Sequence, residues 1–383
     1  MTPSHTLWQE WTAQLQALLP QERLSRLRTL ALFSLGMIQA ETVRLHRVAA
    51  AVPPPATTPQ PATIPSTERR LQRFLANDRV TVATLWQPLL PHLLAGWAGR
   101  EATLVFDPTP YGSTGTILWI GIVWQGRVLP LAWQHVPQQE PWPGPLPALL
   151  APLLAPIAAA MPPDCTVTLV ADRGVSGPGV LDVARNLGWE VVLRLNVGAQ
   201  QAHRLRLPGG PEVRLGDWLP QAGRRWRGVV QLFKAAGWRE GHLTIHQDAG
   251  AAEPWVLVST RPAGSARVRE YRQRVRVEAT FADTKRRGWG LEQSRVREAA
   301  HVERLLLVWH LALWWLYVLG LHVIRSGQRA RFDRAHRRER SLLRLGWLWL
   351  RDRLHHGALP LLLFRPYGST WIARGTPIPK LSG

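Results

Sequence analysis

"YRQRVRVEATFADTK", residues 271–285, is the stretch on which the reading of the whole chain turns. It sets Tyr271, Arg272, Arg274, Arg276, Glu278, Asp283 and Lys285 among a few apolar residues. On a helix advancing about 100° per residue, Tyr271, Arg274, Glu278 and Lys285 fall at roughly 0°, 300°, 340° and 320°. They share one face within about 60°, flanked by Val275, Val277 and Phe281, which are able to pack. A solvated helix spreads its charges and builds pairs four residues apart. Here a single acid stands on a stripe with two cations and a phenol. Periodicity alone leaves two readings open: a salt-bridged surface helix, or an acid placed among phosphate-binding groups.

The bulk of the chain narrows the choice. Its 383 residues carry a formal net charge of +21, and 46% are hydrophobic. That much apolar material builds a packed core, and the charge makes an acidic polymer the first partner to consider. Of 47 basic residues only Lys234, Lys285 and Lys380 are lysine. The single cysteine, Cys165, excludes an internal disulfide framework and a Cys-rich zinc site, and it fits a reducing, cytoplasmic setting. The opening "MTPSHTLWQEWTAQ" has no basic region followed by an apolar run, so no secretory signal is expected. Residues 305–324 contain no Asp, Glu, Lys or Arg and have the length of a bilayer span. Their two histidines, and the charged helix before them, favour a buried core helix and no membrane partner.

Along the chain, residues 1–98 read as a small basic helical domain, with a Pro-rich linker at 52–65. In "STERRLQRFLAND" Ser66 is the expected N-cap, and Arg69, Arg70 and Arg73 cluster on the helix that follows. From 102 the period changes. "ATLVF" ends at Asp107, and "TILWIGIVW" and "RVLPLAW" flank a "QG" turn as a strand pair. Residues 145–160 carry four prolines and predict a broken helix. "TVTLVADRG" is a strand ending at Asp172, followed by a helix near 178–187 and the strand "EVVLRL". Residues 200–262 predict a β-rich insertion built from "VRLGDWL", "GVVQLF", "HLTIHQ" and "PWVLVST". Residues 263–325 return to helix, and 326–383 form a basic helical tail. No internal repeat is visible.

Asp107 and Asp172 each follow an apolar run, which places both at a strand edge. A lone Asp there is usually a turn former, but two in one sheet can hold Mg²⁺ against phosphate oxygens. Glu278 would be the third member. Arg173 can pair with a carboxylate or with a phosphate. His203, His242, His246, His310 and His322 show no metal-ligand spacing.

Tyr271, two residues, Arg274, three residues, Glu278, six residues, Lys285 resembles the YREK signature of the IS4-type DDE transposases (Tn5/Tn10-like). Phe281 and Asp283 resemble the filling of that motif. "DPT" at Asp107 and "ADRG" at Asp172 resemble the two Asp motifs, and "RRLQRFLAND" resembles the N-terminal DNA-binding region. "PWVLVSTRP" resembles the strand on which the family carries a Trp beside a flipped base. The likeness runs over about residues 20–350. It implies an α/β fold: an RNase H-like catalytic core, a mixed sheet flanked by helices, with a β-rich insertion, a helical N-terminal domain and a helical C-terminal tail. It implies a DNA transposase with Asp107, Asp172 and Glu278 as catalytic metal ligands for two Mg²⁺ ions about 3.5–4 Å apart, with Mn²⁺ able to substitute. Tyr271, Arg274 and Lys285 would grip phosphates, Trp255 would stack on a base, and Arg173, Arg69, Arg70 and Arg73 would add DNA contacts. The partners would be transposon ends, target DNA and a second copy of the chain in a synaptic complex, in a prokaryotic cytoplasm. The rivals are a catalytically inactive transposase-derived DNA-binding protein and an RNase H-fold DNA nuclease.

Overall fold

The structure, a computed structural model, describes residues 3–52, 62–138, 143–197, 203–284, 289–334 and 336–357. The chain opens with α1 (Pro3–Leu18), α2 (Leu24–Ala40), α3 (Leu45–Ala51) and α4 (Ile64–Leu75), then the short α5 (Val82–Leu85) and α6 (Leu90–Leu94). Next come β1 (Glu101–Tyr111), β2 (Gly115–Trp124), β3 (Arg127–Pro137), α7 (Leu146–Ala160), β4 (Thr166–Ala171), α8 (Pro178–Asn186) and β5 (Glu190–Arg194). They are followed by β6 (Arg204–Arg206), β7 (Glu212–Arg214), α9 (Leu215–Ala222), β8 (Arg225–Leu232), β9 (Arg239–His246) and β10 (Trp255–Ser259). The chain continues with α10 (Ser265–Arg272), a 3₁₀ turn at Gln273–Val275, α11 (Arg276–Thr284), α12 (Ala299–Arg325), α13 (Arg329–Phe332) and α14 (Leu342–His355).

Two compact units divide the chain: residues 97–109 with 117–280, and residues 1–96 with 110–116 and 281–383. The first holds a mixed sheet in the order β3-β2-β1-β4-β5-β10-β9-β8-β6-β7. β1 runs parallel to β4, and β4 to β5, while β10 returns antiparallel to β5. β2 reads "ILWIGI" through residues 117–122, all buried, the signature of a strand covered on both faces. Its turn into β3 sits on Gln125 and Gly126, at φ 49° and 79°, the twist that a two-residue hairpin needs. The strands between 203 and 259 extend this same sheet. A mixed α/β sheet carrying helices fits the RNase H-like core that the sequence leads one to expect.

Four local expectations are corrected. α7 is continuous rather than broken, although Pro152 and Pro156 lie inside it. Pro152 is exposed and Leu149, Leu150, Leu154 and Ile157 are buried, so a missing backbone donor falls on the outward side. "VRLGDWL" gives only the short β7 before α9, whose first turn carries Asp217 beside the positive end of the helix. The cap of α4 is Thr63, which accepts from the Ser66 amide, because Pro65 occupies the first turn; Ile64 and Pro65 thus belong to helix, not linker. Residues 53–61 of that linker lie outside the described residues. The signature segment is two helices joined by the 3₁₀ turn, not one, and Val275, expected to pack, is 46% exposed.

The second unit is helical. α12, the segment long and apolar enough to cross a membrane, has 89% of its most apolar window buried within the protein, as a core helix would. It crosses α14 at two glycines. A Cβ on Gly320 would stand 2.0 Å from the Leu342 carbonyl oxygen, and one on Gly346 2.0 Å from that of Leu316. Trp11 stacks on Trp315 at 4.9 Å and donates its indole N–H to Ser34.

Candidate active site

The parallel ladder of β1 and β4 ends at the pair Phe106 and Ala171. The next residue on each strand is an acid, Asp107 and Asp172, so parallel register alone makes them neighbours at one edge of the sheet. β1 itself continues to Tyr111 alongside β2. Asp107 therefore marks the end of the β1–β4 ladder and not, as the sequence suggests, the end of its strand. Parallel strands point their carboxyl edges the same way, which is where ligands collect in such sheets.

The signature segment brings the rest. Tyr271, 2% exposed, packs with Val170, Val192, Leu257 and Val268 under the sheet edge. Its hydroxyl donates to Asp172 Oδ1 at 2.7 Å. From the 3₁₀ turn, the Arg274 guanidinium reaches Asp172 Oδ2 at 2.9 Å, Asp107 Oδ2 at 3.3 Å and Glu278 Oε1 at 3.4 Å. One cation is thus shared by three carboxylates from β1, β4 and α11. The Thr280 side chain fixes α11 by accepting from the Val128 amide at 2.9 Å. Glu278 remains 64% exposed, against 13% for Asp107 and 26% for Asp172.

The protonation states follow from these contacts. Burial works against the Asp172 charge, but the bonds from Tyr271 and the Arg173 backbone, with the charges of Arg274 and Arg194, outweigh it and hold its pKa below the ordinary carboxylate value. Burial and the Asp172 charge push the Tyr271 phenol well above its ordinary value, so it stays a neutral donor. Burial likewise works against the Arg274 charge, yet Asp107, Asp172, Tyr271 and Glu278 raise its pKa, and it stays a cation.

Hard carboxylate oxygens are the donors a divalent cation such as Mg²⁺ takes. The guanidinium stands in for such a cation by drawing all three acids to one point. With Arg274 seated, no group of three His, Cys, Asp or Glu among the described residues is spaced to hold a metal ion. The donor set fits the metal by chemistry, and its present spacing is that of an Arg-centred cluster.

The other expected residues separate. Trp255 lies edge-on to Tyr271 at 4.9 Å, half-buried, with the Arg272 guanidinium 5.8 Å from its ring. Arg173 pairs with Glu253 at 2.6 Å, and Arg194 binds the same oxygen at 2.6 Å. Arg194 was not singled out from the sequence, where nothing marks it beyond a basic residue at a strand end. Lys285 lies outside the described residues. On α4, Arg70 turns inward and donates to Thr29 Oγ1 at 3.0 Å, away from the side that bears Arg69 and Arg73.

No curated protein matches the chain. The family model of the transposase DDE domain matches residues 146–315, a span holding Asp172, Tyr271, Arg274, Glu278 and Lys285, with Asp107 just ahead of it. With acids at adjacent strand positions and a third on the helix beyond, that match supports a DDE transposase.

Proposed function

We propose that this protein is an IS4-type DNA transposase that binds the terminal inverted repeats of its element and catalyses metal-dependent cleavage and strand transfer by cut-and-paste. The observation that carries this is the convergence of Asp107, Asp172 and Glu278 on the single guanidinium of Arg274. Asp107, Asp172 and Glu278 would hold divalent cations, Mg²⁺ by the hardness of their oxygens, with two ions expected for in-line phosphoryl transfer. When bound, such ions supply an activated water or DNA 3′-OH and neutralise the leaving oxygen. Tyr271 holds Asp172 in one orientation through its hydroxyl. Arg274 keeps the three acids together in the absence of DNA. A DNA phosphate competes with them for its guanidinium, and winning that competition would free carboxylate oxygens for the metal. Trp255, at the rim beside Tyr271, is placed to stack on an unpaired base.

The test is a strand-transfer assay with purified protein, duplexes carrying the ends of the element, a target plasmid and Mg²⁺. Joined products that vanish in Glu278→Ala are expected. Cleavage without joining would favour a nuclease on the same core, and binding without either would favour a DNA-binding protein derived from a transposase.

A further inference from the structure

Residues 247–254 join β9 to β10 at the edge of the sheet where Asp107 and Asp172 stand, and the register of the strands puts them there. Ala171 of β4 pairs with Leu193 of β5, so the next residues along, Asp172 and Arg194, are level. Arg194 in turn faces Leu257 of β10, which runs antiparallel, so the residues before Trp255 emerge at that same edge. The loop carries two acids, and both hold arginines from other elements. One oxygen of Glu253 binds Arg173, which follows Asp172, and Arg194, each at 2.6 Å. Asp248 binds Arg272, which follows Tyr271, at 2.8 Å, and His246 at 2.8 Å. These arginines border the three acids: the charge of Arg194 is among those that keep Asp172 ionised, and Arg272 lies 5.8 Å from the ring of Trp255.

The loop is built to act as one piece. Gly250 takes φ 80°, a conformation open to glycine at no steric cost. The Ala251 amide donates to the Asp248 carbonyl at 3.1 Å, and the Gln247 side chain donates to the Ala251 carbonyl at 2.8 Å. These bonds tie the stretch that bears Asp248 into a closed turn, five residues ahead of Glu253. The ion pairs, by contrast, are those of a surface. Glu253 is 47% exposed and Asp248 56%. Exposed pairs contribute little stability and are screened by salt, so a polyanion can displace them.

We propose that residues 247–254 form an acidic strap that stands in for substrate phosphates at the rim of the site, and that Asp248 and Glu253 determine specificity by yielding only to a polyanion that meets their three arginines together. The proposal rests on the DNA-directed function above and adds its regulation. A lone phosphate that takes one arginine leaves the loop tethered through the others. A row of phosphates replaces both carboxylates at once, and the release of Arg272 from Asp248 frees it to leave the ring of Trp255. Nucleic acid resting elsewhere on this basic chain leaves the strap in place, and the acids of the site stay covered on that side.

The experiment follows amide hydrogen exchange of residues 247–254 in the full chain, alone, with a duplex bearing the ends of the element, and with inorganic phosphate at matched ionic strength. In the wild type the duplex should speed exchange of the loop and inorganic phosphate should not. Asp248→Asn/Glu253→Gln should exchange fast without any addition, and should bind the duplex about tenfold more tightly than the wild type. Asp182→Asn/Glu212→Gln removes the same charge from acids paired with Arg239 and with Arg204 and Lys234, and should change the affinity less than about twofold. Matching melting curves would show that the variants fold, and the wild-type exchange result stands without them. A loop that exchanges equally slowly with and without duplex, release by inorganic phosphate alone, or an equal gain in affinity from both double variants would overturn the proposal. Cleavage separates it from the function itself. If the loop ignores the duplex in a protein that cuts it, the strap falls alone. If the duplex releases the strap in a protein that never cuts, the catalytic reading falls instead.

Discussion

Arg274 has three acidic partners and Asp172 has two side-chain donors, Tyr271 and Arg274, and the chemistry of the site follows from these contacts. Removing the guanidinium takes from two half-buried aspartates the cation they share. Arg274→Gln should therefore lower stability by on the order of 1.5–3 kcal/mol in chelator, and added Mn²⁺ should restore more of it than the same Mn²⁺ adds to the wild type. Equal Mn²⁺ effects on the melting temperature would remove Arg274 as the competing cation. Tyr271→Phe probes the other side of Asp172. The lowered pKa of Asp172 contributes stability that is present above the ordinary carboxylate pKa and lost as pH falls through the lowered value. Wild type and Tyr271→Phe should then differ by about 1–3 kcal/mol at pH 7, and the gap should close on acidification below about pH 4. A gap that persists undiminished at pH 2 would assign it to packing of the ring and not to the hydrogen bond.

Elements that depend on local pattern were legible in the sequence, and those that depend on a distant partner were not. Apolar runs ending in acid placed Asp107 and Asp172 at the sheet edge, and the charge-free stretch of α12 showed as a buried helix. The spacing of Tyr271, Arg274 and Glu278 put them on one side, and two of the three do bond Asp172. The 3₁₀ turn beneath Arg274 was invisible because nothing in "RQRV" breaks a helix. Its tighter winding accompanies ion pairs with strands far away in the chain. Arg70 and Arg173 looked equivalent to their basic neighbours for the same reason, since Thr29 and Glu253 are distant in sequence. The crossing of α12 and α14 was equally hidden: Gly320 and Gly346 look like weak points in helices until the facing carbonyls are seen. Gly346→Ala should cost about 1–3 kcal/mol, read as a lower melting temperature, because a backbone oxygen cannot move aside as a side-chain end could. An unchanged melting temperature would mean that the two helices do not approach so closely.

At the scale of the whole molecule, the two units are built differently. The sheet unit gathers acids around a cation, and the helical unit is built on the buried α12. A chain at +21 needs its negative charges only where they are used, and three of its 26 acids meet at one guanidinium. The central claim is that Asp107, Asp172 and Glu278 act as one set. The most direct measurement is single-turnover cleavage of a duplex bearing the ends of the element, by the wild type and by Asp107→Asn, Asp172→Asn and Glu278→Gln, with binding of the same duplex followed in parallel. Each variant should bind within a few-fold of the wild type and cut at least roughly 10³-fold more slowly, the loss expected for several kcal/mol of transition-state charge stabilisation. Full cleavage by any one of the three would contradict the account.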